Sequence, residues 1–171
     1  MEEKVHIINM SLGSSQPSII LRQAIENAFE NGVVCICAAG NDASSVSYPA
    51  AFETTVAVSA IGEPGFVPLA SLPALPNRQE LYGKYQWHAA DFTNYGSQID
   101  VACPGVGIIA PVPSRLSHDH PFASMNGTSM ASPVAVAALS ILLSEDKVLI
   151  WTRHVSVHVM PVIGCRPLRA Q

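Results

Sequence analysis

Residues 33–39 form an apolar run, Val-Val-Cys-Ile-Cys-Ala-Ala, with no polar alternation. A strand with one wet face alternates in polarity, so this run predicts a strand covered on both faces, as in a parallel sheet between helices. The residues ahead of it supply the rest of the unit. Residues 5–10 read as a short apolar strand, and Ser15-Gln16-Pro17 offers helix-start chemistry. Leu21, Ile25 and Phe29, with Ala24 and Ala28 beside them, make an apolar stripe at helical spacing, and Gly32 ends that helix just after Asn31. Strand–helix–strand in this order predicts an α/β fold, a parallel sheet flanked by helices with a right-handed crossover.

Further along, residues 54–61 read as another strand and 99–102 as a short one, stopped by Cys103-Pro104-Gly105. Residues 62–90 contain four prolines and no sustained period, which predicts a surface insertion rather than a second domain. Residues 129–143 are small and apolar all round, the pattern of a helix that runs through a core. Residues 148–171 string together Trp151, Arg153, His154, His158, Pro161 and Arg166 with neither helical nor strand order. The expected organisation is one domain over 1–147, with an irregular tail over 148–171.

Composition narrows the function classes. Hydrophobic residues make up 49% of the 171 and charged residues 13%, which argues for a heavily buried interior and against disorder. A net charge of −4 without a run of Lys or Arg argues against nucleic acid as a partner. The uncharged stretch 130–143 is short for a bilayer and follows Pro, Gly and Ser residues, so a buried helix is expected rather than a membrane span. Met1-Glu2-Glu3-Lys4 leads into too few apolar residues for a signal peptide, which leaves the compartment open. Cys35, Cys37, Cys103 and Cys165 follow no metal spacing and read as small buried hydrophobes.

Two segments carry chemistry. In Asn126-Gly127-Thr128-Ser129-Met130-Ala131-Ser132-Pro133, a turn delivers a hydroxyl to a helix N-terminus, where free N–H groups and the helix dipole favour a developing oxyanion. Taken alone, the same residues would also serve as an ordinary Ser N-cap. Ala38-Ala39-Gly40-Asn41 closes the buried strand, at the end of a parallel sheet where ligand groups gather. An Asn there can donate an N–H while staying neutral, or simply turn the chain.

The octet resembles, residue for residue, the nucleophile motif of the subtilisin-like serine proteases. The resemblance implies that Ser129 is the nucleophile, that its own N–H is one oxyanion donor, and that Asn41 is the other. Removing such a donor costs roughly 10²–10³ in turnover, a magnitude established in a subtilisin. Asn9-Met10-Ser11-Leu12-Gly13 is similar to the segment that pairs with an extended substrate in this family. Ser11, Leu12 and Gly13 on one side, with Ala38, Ala39 and Gly40 on the other, are then the expected substrate-binding residues. Tyr48-Pro49-Ala50, Phe92-Thr93-Asn94-Tyr95-Gly96 and Ala102-Cys103-Pro104-Gly105 follow in the family's order. The implied function is serine-type endopeptidase, acting on polypeptide through an acyl-enzyme and needing no cofactor for catalysis. A structural calcium is common in the family, but no carboxylate cluster localises one here.

The departures are specific. The family's Asp sits in an Asp-Ser/Thr-Gly turn and its His in His-Gly-Thr-His. Asp42, Asp91, Asp100, Asp119 and Asp146 lack the first pattern, and none of the six His residues precedes a Gly. His118 and His120 lie shortly before Ser129, in a polar loop that reads as solvated. Val134 replaces a His frequent in the motif, and Ala137 a Gly. These gaps favour a second reading of the chain, as a catalytically inactive pseudoprotease or peptide-binding module. They also point to the remaining, N-terminal portion of such a domain as a partner.

Overall fold

The computed structural model describes residues 5–63, 87–113 and 121–144. Strand β1 (Ile7–Met10) leads through helix α1 (Ile19–Glu30) to strand β2 (Val34–Ala38), which pairs in parallel with β1, as the strand–helix–strand pattern requires. Strand β3 (Thr55–Gly62) pairs in parallel with β2, and β5 (Ile99–Pro104) in parallel with β3. The two-residue strand β4 (His88–Ala89) pairs antiparallel with the end of β3. Ile61 is matched to both Ala89 and Pro104, so β4 occupies the flank of β3 that β2 leaves free after Ala38. A hairpin of β6 (Ile108–Pro111) and β7 (Phe122–Met125) then carries the chain to helix α2 (Thr128–Ser144).

The β2 run is covered on both faces. Cys35, Cys37 and Ala39 pack in one cluster with Ile25, Leu21 and Ala28 of α1. Ile36 points the other way, into a cluster with Val58, Ala60, Ala131, Ala135 and Leu139, the last three from α2. Period-2 alternation thus divides the strand between two helices, one on each side of the sheet. Helix α2 crosses β1, β2, β3 and β5, which places its first turn above the ends of the central strands.

Two details differ from the sequence reading, and one element lay outside it. The N-cap of α1 is Ser18, whose Oγ accepts from the Leu21 N–H at 3.3 Å, one residue beyond the Ser15-Gln16-Pro17 group. The ends of the expected 62–90 insertion belong to the sheet: Gly62 closes β3, while His88 and Ala90 are buried because β4 fills a vacant edge of that strand. Residues 64–86 lie outside the described residues, as do the 148–171 tail, His118 and His120. The β6–β7 hairpin was not expected at all. Its strands alternate half-buried and exposed residues over only four positions each, too short a pattern to read from sequence.

Candidate active site

The octet folds as the end of β7, a turn at Gly127 and the first turn of α2. Asn126 Oδ1 accepts from the Gly107 N–H at 2.7 Å, and the Gly127 N–H donates to Gly105 O at 2.8 Å, tying this turn to the loop after β5. Thr128, fully buried, is the hub of the site. Its N–H and its hydroxyl both donate to Asn41 Oδ1, at 2.8 and 2.9 Å, and its Oγ1 accepts from the Gly40 N–H at 3.1 Å. Two donors on Oδ1 fix the Asn41 amide, because the flipped group would set an NH₂ against two N–H and O–H donors. The Asn41 Nδ2 is therefore turned towards the open side.

That open side is marked by a missing atom. A Cβ placed on Gly127 would lie 3.6 Å from Asn41 Nδ2 and 3.7 Å from the Ser129 N. The two donors and, at 3.3 Å from that Cβ, Met130 Sδ border one space, which residue 127, having no side chain, leaves open. The Ser129 N–H finds no acceptor among the described residues. Among the described residues its Oγ makes only a long 3.5 Å contact with Ser11 O. The structure thus brings Ser129 and Asn41 to one point.

A second set of bonds holds the start of α2 against the segment after β1. Ser11 Oγ donates to Ser129 O at 2.8 Å, and Asn9 Nδ2 donates to Ser11 Oγ at 3.0 Å. Asn9 Oδ1 accepts from Ser132 Oγ at 2.7 Å. Beside these bonds opens a cleft of about 690 Å³, whose walls include Ser11, Leu12, Gly13, Ala38, Gly40, Asn41, Asp42 and Ser129. No backbone hydrogen bond among the described residues uses Leu12 or Gly13, so that wall offers unspent donors and acceptors.

The opposite wall offers no free backbone edge at residues 39 and 40. Ala39 is fully enclosed, with its N–H given to Val58 O and its O taken by the Ser47 N–H. The Gly40 N–H is bound to Thr128 Oγ1 and its O to the Asn94 N–H. Residues 39 and 40 support the cleft, and their backbone is already committed to the fold.

Sequence reasoning gave no role to Thr128, Asn9 or Asn94. Asn94 is fully buried and uses every valence of its amide: Oδ1 accepts from the N–H groups of Asp42 (2.8 Å) and Ser44 (3.2 Å), while Nδ2 donates to Ser45 O (2.9 Å) and Ser47 Oγ (3.1 Å). It clamps the loop that follows Asn41. Its place in a Thr-Asn-Tyr-Gly turn was the one available signal.

Neither described histidine that could act as a base hydrogen-bonds to Ser129. His6 precedes β1, and His88 is buried in β4 with Nε2 against Gly62. Burial pushes the His88 imidazole below its usual pKa, and the nearby Asp91 opposes that shift. No group of three His, Cys, Asp or Glu among the described residues could hold a metal ion, and no helix there is long and apolar enough to cross a membrane.

A sequence profile described as the Subtilase family matches residues 1–160. The chain belongs to the subtilase family. It is 33% identical over 144 residues to Subtilisin DY of Bacillus licheniformis, covering 81% of this chain and 43% of that protein. It is 33% identical over 153 residues to the major intracellular serine protease of Bacillus subtilis, covering 86% of this chain and 40% of that one. Among solved structures, a cold adapted subtilisin-like serine proteinase superposes with a TM-score of 0.59 at 27% identity, over 82% of this chain and 42% of the other. A psychrophilic protease gives a TM-score of 0.60 at 29% identity, over 82% and 43%. This subtilase chain therefore spans less than half the length of the relatives it matches, and its α/β architecture is theirs over the shared part.

Proposed function

We propose that the chain supplies the nucleophile and oxyanion side of a serine endopeptidase. The observation that carries this reading is the orientation of Asn41: with Oδ1 held by Thr128, its Nδ2 and the Ser129 N–H border one space. In a complete domain, Ser129 Oγ attacks a peptide carbonyl while a histidine takes its proton. The carbonyl oxygen becomes an oxyanion in the space over Gly127, and the acyl-enzyme is later hydrolysed. The 11–13 segment pairs with extended substrate, and Ala38 and Gly40 form the facing wall.

The chain alone carries neither an Asp-Ser/Thr-Gly nor a His-Gly motif. A serine hydroxyl without an adjacent base is a poor nucleophile, and losing the histidine costs a subtilisin about 10⁶ in turnover. The 171 residues by themselves are thus expected to be inactive. The partner that completes them is the Asp- and His-bearing portion of a subtilase domain. Among the described residues no strand pairs with the outer edge of β1, and Ile141 on α2 is exposed, so both a strand edge and an apolar face suit such a partner.

Fluorophosphonate labelling and peptide hydrolysis test the reading, with the chain alone and with any in-frame coding sequence found upstream of Met1 included. The expected result is labelling at Ser129 only in the extended protein, lost in Ser129→Ala. Upstream sequence lacking both motifs, with no labelling, would instead support the inactive peptide-binding module that the missing residues favour.

A further inference from the structure

We infer that Asn94 is a positioning residue for Asn41, holding the peptide units on both sides of it and with them the direction of its Nδ2; this rests on reading Asn41 as an oxyanion donor. The Gly40 carbonyl belongs to the peptide unit before Asn41, and it accepts from the Asn94 N–H at 3.0 Å. The Asp42 N–H belongs to the unit after it, and it donates to Asn94 Oδ1 at 2.8 Å. A peptide unit is planar, so with both units fixed the Cα–Cβ direction of Asn41 is fixed as well. Only the side-chain torsions remain, and the two Thr128 donors on Oδ1 settle those.

The loop after Asn41 does not hold its shape by itself. Ala43 sits at φ = 47°, in the left-handed region that a residue with a Cβ disfavours. Residues 92–95 impose that conformation. The Ala43 N–H donates to Phe92 O at 2.9 Å, and Ser44 O accepts from the Tyr95 N–H at 2.9 Å. The Ser44 N–H donates to Asn94 Oδ1, and Ser45 O accepts from Asn94 Nδ2. The hydrogen bonds that residues 42–45 make among the described residues all run to residues 92–95.

The holding segment is anchored elsewhere. Thr93, next to Asn94, gives its N–H to Ala90 O, and its Oγ1 accepts from the Ala60 N–H, both at 2.9 Å. Those bonds tie the segment to β3 rather than to the loop it holds. Asn94 itself is fully buried, so water cannot stand in for its bonds when they are lost. The sheet fixes 92–95, and 92–95 fixes Asn41.

The test reads the Thr128 amide proton, whose acceptor is Asn41 Oδ1, by NMR-detected hydrogen exchange of the 171-residue chain. In the unmodified chain the amides of Asp42, Ser44 and Thr128 are expected to share one opening, with the same urea dependence. In Asn94→Ala, Thr128 should exchange about tenfold faster than in Leu21→Ala, a packing variant on α1, the two compared at equal global stability set with urea. Tenfold is roughly the equilibrium worth of one hydrogen bond. The Asn41 side-chain amide resonances, assigned by their absence in Asn41→Asp, should move in Asn94→Ala and stay in Leu21→Ala. Thr128 protection that outlasts the release of Asp42 and Ser44 in the unmodified chain overturns the inference, whether or not Asn94→Ala folds. Equal exchange in the two matched variants, with the Asn41 resonances unmoved, overturns it too. No readout needs turnover, so absent labelling at Ser129 would count against the endopeptidase reading and leave this linkage standing.

Discussion

The Ser129 carbonyl is bonded to the Ser11 hydroxyl, at 2.8 Å, because the helix that begins at Thr128 cannot supply a donor of its own. Four residues on, where an i→i−4 bond would come from, stands Pro133, which has no N–H. The proline opens a vacancy in the first turn and the segment after β1 fills it, so the position of Ser129 is referred to a second part of the chain.

That relationship is testable as a coupling. Ser11→Ala should destabilise the chain by about 1 kcal/mol, the worth of a hydrogen bond whose acceptor water can partly reach. In a Pro133→Ala background the helix regains its own donor, and the cost of Ser11→Ala should fall below about 0.5 kcal/mol. Urea unfolding of the two single variants and the double variant measures the difference. Strict additivity would show that the two residues do not share the Ser129 carbonyl.

Gly40→Ala should be severely destabilising. The backbone there has φ = 108°, and an added Cβ would collide with Asn94 Nδ2 and stand 2.6 Å from Ser47 Oγ. Asn94 cannot yield without losing its four bonds, so a cost of about 3 kcal/mol is expected from strain and overpacking together. Thermal unfolding checks it, with Gly32→Ala as the comparison: that glycine also has positive φ but has nothing within 4 Å of an added Cβ.

Acid should weaken the fold partly through His88. Its folded pKa lies below the ordinary imidazole value of 6.5 because burial disfavours the charged form, so the unfolded chain binds the extra proton first. The contribution is fully present above pH 6.5 and is lost as pH falls from there through the lower folded value. His88→Gln should flatten the dependence of melting temperature on pH in that window. An unchanged slope would mean that His88 binds its proton equally in the folded and unfolded chain.

Cys37 should be inert in the folded chain. Burial, reinforced by Cys35, pushes its thiol up to about 12, which leaves about one part in 10⁴ as thiolate at pH 8. A disulfide-exchange reagent should therefore react with it only on the timescale of unfolding, and at once in denaturant.

How far the sequence could be read follows from how local each signal was. The β2 strand and its two-sided burial were legible because seven apolar residues in a row admit few other fates. That Ser129 and Asn41 would meet was legible because their motifs are contiguous. Thr128 and Asn94 were not: each acts through partners dozens of positions away, and a polar residue in a turn looks the same whether it meets water or a buried amide. β4 was lost for a related reason, since two residues carry no period, and what makes them a strand is the flank of β3 that β2 leaves empty.

The bond from Thr128 to Asn41 closes a loop of 87 residues. Closing a loop that long costs conformational entropy before any contact repays it, so this pairing is expected among the late events of folding. Until it forms, nothing dictates which way the Asn41 amide faces, and the two donors over Gly127 have no common target. A nascent or partly unfolded chain thus carries both motifs but not the space they share. Whatever that space receives, it can receive only once the sheet and α2 have met.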